Sequence, residues 1–265
     1  MIFQGVLLKM DSELSNEINY FLRLDNDFLN VNQLIGKTIK LSFVKNQCLS
    51  CSEDLEIFSQ GYCKSCFFEI PQSGEWIMKP ELSKAHLDIE DRDLEYEKQV
   101  QLQPHVVYLA NSSHLKVGVT RKSQIPTRWI DQGAHQAMSI IETPNRYLAG
   151  ISEVALKNHV SDKTNWRQML KNEVVSESLE QSKDQLIDFL PDEVQQYVLS
   201  ENQLVNLNFP VHKYPEKPKS LNIYKSNQFE GVVCGIKGQY LIFEDDTVFN
   251  VRNNQGYVVK IEIID

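Results

Sequence analysis

Apolar and polar residues alternate with period two at both ends of the chain, and the two alternating stretches match each other. Aligning Tyr20 with Tyr240 sets YFLRLDNDFLNVNQLIGKTIKL over YLIFEDDTVFNVRNNQGYVVKI, so that Asp25/Asp245, Asn30/Asn250, Val31/Val251, Gly36/Gly256 and Lys40/Lys260 coincide without a gap. Upstream, FQGVLL (Phe3–Leu8) matches FEGVVC (Phe229–Cys234) after an offset of six residues. Alternation interrupted by an acidic turn and then by a glycine predicts three or four short strands in each copy. About 45 residues is little for an independent core, so the copies are expected either to pair into one pseudo-symmetric β structure or to close as two small barrels.

Between the copies the period changes. PHVVYLANSSHLKVGVTR reads as strands Val106–Ala110 and His114–Thr120 joined by the turn Asn111-Ser112-Ser113. QIPTRWIDQGA reads as a helix with Pro126 in its first turn and Gly133 at its end, and HQAMSIIETP as a third strand. NRYLAGISEVALKNHV carries Leu148, Ile151, Ala155 and Val160 near helical spacing, and DKTNWRQML follows as a shorter helix capped by Asp162. The expected fold class is α+β. Its segments are a β segment (1–45), a cysteine knuckle (46–72), an acidic connector (73–103), a compact α/β unit (104–172), acidic helices (173–204) and a second β segment (205–265). Pro210, Pro215 and Pro218 mark the linker into the last of these.

Four of the five cysteines fall within 19 residues, as CLSC (Cys48, Cys51), eleven residues, and CKSC (Cys63, Cys66). Two CxxC pairs at that spacing imply a zinc site in a reducing compartment. Four thiolates leave tetrahedral zinc no open position, so the ion is expected to hold structure and do no chemistry. Tyr62, Phe67 and Phe68 flank the knuckle, either as its small core or as surfaces for stacked bases. The fifth, Cys234, reads as a small buried residue in a strand. With no long apolar run and no secretory pattern at MIFQGVLLKMDSELS, the expected location is cytoplasmic, without a membrane partner.

The formal net charge of −9 argues against wrapping nucleic acid over the whole surface. The charge is segregated, however: His105 to Lys171 holds nine basic and four acidic residues, hence +5, which leaves −14 for the rest of the −9 chain. The acidic runs around Glu90–Glu97 and in 173–193 read as solvated helix faces. No serine elbow, P-loop, Rossmann glycine run or HExxH occurs.

The order β-β-α-β-α-α, with VVY ending one strand and KVG in the next, resembles the GIY-YIG nuclease domain over about 70 residues. The whole chain, with its four-cysteine knuckle and its TRWIDQGA and PNR segments, is also similar to a family of bacterial proteins of unknown function in which a GIY-YIG-like unit is embedded. The resemblance implies roles for matched positions. Tyr108 stands at the tyrosine of the first motif, which activates water or serves as general base, and Gly118 at the glycine of the second. Arg128 stands at the helix arginine that contacts phosphate, and Glu153 at the glutamate that binds Mg²⁺ or Mn²⁺. A carboxylate-bound cation and a guanidinium would together stabilise charge developing on a phosphodiester. A phenol of ordinary pKa is a poor base at neutral pH, so Lys116 is expected to lower that of Tyr108. Arg121 and Lys122 are expected to bind the nucleic-acid backbone together with Gly118. The sequence departs from the motifs at Val106-Val107, which replace Gly-Ile, and at Lys116, which replaces the second tyrosine. The implied function is a metal-dependent endonuclease acting on DNA or RNA. The alternatives are a zinc-containing nucleic-acid-binding module with a degenerate centre and a protein-interaction scaffold.

Overall fold

The two terminal β stretches exchange partners. In the computed structural model, which describes residues 1–24, 27–160 and 165–264, Thr38–Asn46 and Tyr257–Ile263 run antiparallel inside a seven-stranded sheet, with Leu41 opposite Ile261. These two residues are aligned in the sequence comparison, so a local twofold passes through their pair. Around it the pairings of the central strands have their equivalents, whereas the hairpins beyond differ by one residue in register, Phe21 facing Asn30 where Tyr240 faces Asn250. Lys40 faces Glu262 as Ser42 faces Lys260, Phe3 faces Ile261 as Phe229 faces Leu41, and Gly5 faces Val259 as Gly231 faces Ile39. The turns obey the same relation: the N–H of Gly36 donates to Val233 at 2.8 Å and that of Gly256 to Leu7 at 3.1 Å. Both glycines hold left-handed backbone, φ +82° and +84°, which a side chain would strain. One turn earlier, the Asn30 and Asn250 side chains accept backbone N–H groups at 3.1 and 2.9 Å. The copies therefore form one sheet rather than two barrels.

From edge to edge the strands are Ile2–Val6, Tyr257–Ile263, Thr38–Asn46, Gln228–Lys237, Tyr240–Phe243, Thr247–Asn250 and Lys219–Ser220. A smaller sheet holds Asp11–Glu13, Asn19–Leu24 and Asp27–Asn30. These elements belong to a compact unit made of Met1–Phe68, Leu170–Asn172 and Asn208–Asp265. Tyr20, Leu41, Phe243, Phe249 and Ile261 fill its core, and Cys234 is buried in its strand. The core also seals in Lys237, whose Nζ donates to Asn172 at 3.0 Å and lies 5.4 Å from the rings of Phe209 and Tyr214. Burial pushes that ammonium down to about 7.

Glu69–Met169 and Glu173–Leu207 form the second unit. Its sheet is antiparallel, in the order Val205–Asn206, Gln136–Thr143, His105–Asn111, Leu115–Arg121. His105–Asn111 is central and buried at every position. Period two divides it: Val107 and Leu109 join Leu115, Val117, Met138 and Ile141 in a core closed by Ala149 and Leu156. Tyr108, opposite Gly118, and Ala110, opposite Lys116, alternate with them. The helices Thr127–Asp131, Arg146–Leu156 and Trp166–Leu170 give the element order β-β-α-β-α-α. Gly133 ends the first with φ +66°, and Asn145 caps the second through the N–H of Leu148 at 3.0 Å. Asp162, the expected cap of the third, lies outside the described residues. Among the described residues no helix is long and apolar enough to cross a membrane.

The acidic connector is more than a solvated face. Asp93 caps Leu94–Gln101, and Glu97, 1% exposed, accepts the N–H groups of Asp91, Arg92 and Asp93 at 2.8–3.1 Å. A carboxylate satisfied by three backbone donors fixes the loop that enters the helix.

Candidate functional site

The four clustered cysteines come from three local structures. Cys48 opens a tight turn in which the N–H of Ser52 donates to its carbonyl at 2.9 Å, and Cys51 lies within that turn. Cys63 ends the hairpin Ile57–Ser59/Tyr62–Cys63, and Cys66 sits in the helix Lys64–Glu69. Their four sulfurs lie within 4.8 Å of one another. Tetrahedral zinc, with bonds of about 2.3 Å, needs sulfur edges of about 3.8 Å, so a small contraction closes the site.

The electrostatics suit a cation. Burial pushes the Cys48 thiol up, but the N–H groups of Cys63, Cys51 and Ser50 outweigh it and bring it down to about 6. At Cys66 a hydrogen bond with Ser50 pulls the other way, yet desolvation and the neighbouring Cys63, Cys48 and Cys51 carry the thiol up to about 12. A metal such as zinc would bind the thiolates, remove that crowding and expel the protons. The aromatic neighbours pack on one another rather than in a core: Phe58, Phe67 and Phe68 have centroids 5.3–5.5 Å apart, while Phe58 and Phe68 are 52% and 57% exposed.

The second cluster surrounds Tyr108. Its ring crosses Gly118, where an added Cβ would lie 2.5 Å from the phenol oxygen. Its hydroxyl donates to Gln132 at 2.9 Å, and its ring meets Trp129 at 6.1 Å. Burial raises the phenol, against the pull of the Arg128 charge and of its hydrogen bonds with Arg128 and Gln132, while Glu153 adds to the rise. Arg128 and Glu153 therefore act on the same phenol. The net shift is upward, opposite to what a general base at neutral pH requires, and the cation that opposes it is Arg128 rather than Lys116. Lys116 is itself 3% exposed, and burial, then the Arg128 charge, lower its ammonium to about 7.

The expected phosphate-binding residues divide. Arg121 and Arg128 are half-buried, whereas Lys122 is exposed and pairs with Glu142 at 2.8 Å. Sequence reasoning did not assign Arg146 or Gln132. Arg146 is buried, donates to the carbonyls of Trp76 and Ile77 at 3.1 and 2.7 Å and lies over the Trp76 ring. Burial lowers it to about 10, Glu153 opposes that shift, and Arg121 and Arg128 add to it. The PNR segment was the available signal, but nothing local showed that its arginine turns inward. Among the described residues, the four cysteines form the group able to hold a metal, and Glu153 belongs to no such group.

His105 stands at the edge of this cluster, with Nδ1 2.7 Å from the Gln103 carbonyl. A carbonyl only accepts, so Nδ1 carries the proton and Nε2, buried without a hydrogen-bond partner, stays bare. Burial lowers the imidazole to about 4, the Gln103 bond opposes this, and Arg146 and Arg121 reinforce it. The unfolded chain takes up this proton near pH 6.5 and the folded one near 4. Stability is therefore lost as pH falls through that window, on the order of 3 kcal/mol for this group. Urea titrations at pH 7 and pH 4 are expected to show a smaller loss for His105→Asn than for the unsubstituted chain. An equal loss in both would remove His105 as the source.

Fold and thiol cluster together define a mixed α+β protein with a cluster of four cysteines able to hold a metal. Residues 36–259 match the model of the family described as "Protein of unknown function (DUF2797)", and the chain belongs to that family. The matched stretch contains all four clustered cysteines as well as Tyr108, Arg128 and Glu153. No curated protein and no solved structure matches the chain.

Proposed function

We propose that this protein is a zinc-stabilised nucleic-acid-binding protein whose middle unit, similar in element order to a GIY-YIG nuclease domain, grips phosphate without cleaving it. The observation that carries this reading is the state of Tyr108: fully buried, hydrogen-bonded to Gln132 and raised in pKa. A phenol in that state neither reaches a water nor takes its proton at neutral pH. Arg121 and Arg128, half-buried in the +5 segment, supply the guanidinium groups for phosphate oxygens, with Lys122 exposed beside them. Zinc in the thiol cluster keeps the knuckle folded and takes no part in chemistry.

A metal-dependent endonuclease is the second reading. It is favoured by the action of Arg128 and Glu153 on one tyrosine, which brings the residue types of that chemistry together. The two readings separate in a panel of labelled single-stranded, duplex and branched DNA and RNA with Mg²⁺, Mn²⁺ or EDTA. The binding reading expects salt-sensitive binding under every condition without cleavage. It also expects Arg121→Ala to weaken all sequences alike and to reduce the salt slope by about 1. Metal-dependent cleavage that is lost in Glu153→Gln while binding persists would establish the enzyme instead. Neither binding nor cleavage at low salt would end both and point to protein partners.

A further inference from the structure

The two β copies are built alike but covered differently. In the C-terminal copy, the outer edge of Thr247–Asn250 is occupied by the chain itself. Lys219–Ser220 pairs with it in parallel, Lys219 opposite Thr247 and Ser220 opposite Val248, and the N–H of Leu221 donates to Val248 at 2.9 Å. The chain then turns through Ile223–Ser226. Ile223 is completely buried there, and Tyr224 stacks on Tyr257 at 6.0 Å and meets Phe43 edge-on at 5.2 Å.

The equivalent strand in the N-terminal copy is Asp27–Asn30. Asn19–Leu24 pairs with one of its edges and, among the described residues, no strand pairs with the other. Beside it lies a groove of about 570 Å³ lined by Met1, Phe3, Phe28, Leu34, Lys37 and Ile263, among others. Two of these positions identify the groove. Lys37 is aligned with Tyr257 and Ile263 with Phe43, and Tyr257 and Phe43 are the two rings that receive Tyr224 in the other copy. The groove is thus the twofold equivalent of a site that holds a peptide segment. Its rim is also unusually apolar for an edge strand, with Phe28 63% and Ile264 46% exposed.

We infer that the edge of Asp27–Asn30 and this groove form a docking site for an extended segment of a partner protein. The segment adds as a short parallel strand and seats an aliphatic and an aromatic side chain, as Ile223 and Tyr224 are seated in the other copy. Edge N–H and C=O groups give backbone pairing, and the groove selects the side chains. Lys37, which replaces Tyr257 on the wall, offers a cation to the incoming ring.

A fluorescein-labelled peptide of residues 217–226, KPKSLNIYKS, tests this on the full chain by anisotropy and by hydrogen–deuterium exchange. Saturable binding with new amide protection at 27–30 is expected. Phe28→Glu and Ile264→Glu, both at exposed positions, are each expected to weaken it roughly tenfold or more, as is a peptide carrying Ile223→Asp. Absence of saturable binding overturns the inference. So does protection confined to 247–250, which would mean exchange with the resident segment, or binding that Phe28→Glu leaves unchanged.

Discussion

Substituting Cys63 by serine is expected to abolish zinc retention and to unfold the knuckle between Cys48 and Cys66. The segment has little else to hold it. Its helix Lys64–Glu69 buries no residue, and two of its three aromatic rings, Phe58 and Phe68, are more than half exposed. Backbone ties remain, Gln47 N–H to Gly256 at 2.7 Å and Leu49 N–H to Gly61 at 2.9 Å, but each contributes only about 1 kcal/mol. Structural zinc sites contribute about 10 kcal/mol or more, most of it coupled to folding of their own loop. Zinc content by mass spectrometry should fall from one equivalent to near none, with exchange protection lost over 48–66. A Cys63→Ser protein that keeps both zinc and protection would refute the assignment.

Gly150→Ala is expected to destabilise the second unit by about 3 kcal/mol. Helix propensity alone gives the opposite sign, since alanine favours a helix interior over glycine by about 1 kcal/mol. The helix Arg146–Leu156, however, approaches the Pro80–Glu81 peptide so closely at Gly150 that a methyl would overlap backbone atoms. The same helix carries Arg146 and Glu153, so a shift that relieves the overlap also disturbs the Tyr108 cluster. Urea unfolding of the two proteins decides the sign; equal or greater stability in the variant would mean that this approach is looser than described.

The two substitutions mark what is legible in the chain and what is not. Cys63 is readable because metal coordination imposes its spacing locally. The repeat was equally plain, since period two and a recurring glycine are local too, and the register of Leu41 on Ile261 follows the alignment residue by residue. Gly150 was silent, because the peptide it touches lies some seventy positions away in sequence, among the short turns of a connector that read as merely acidic. Tyr108 was found through a motif, but its complete burial depends on Gln132, Trp129 and Gly118 converging from separate elements. The plug at Lys219–Ser226 was hidden for a different reason. Its polar composition and single helical turn carry no periodicity, and its partner strand is the one that recognises it.

The exchange of strands between the two β copies also sets a timetable. Ile2 pairs with Glu262 and Val6 with Val258, so a strand translated before the whole second unit hydrogen-bonds to one translated after it. Until then Ile2–Val6 has no neighbour in its sheet, and Thr38–Asn46 lacks both of the strands that will flank it. Glu69–Met169 and Glu173–Leu207 are translated in that interval and already contain every strand of their own sheet. The middle of the chain can thus mature while its beginning waits. Closing so long a loop is slow, and during the delay the unpaired edges of Ile2–Val6 and Thr38–Asn46 are open to mispairing.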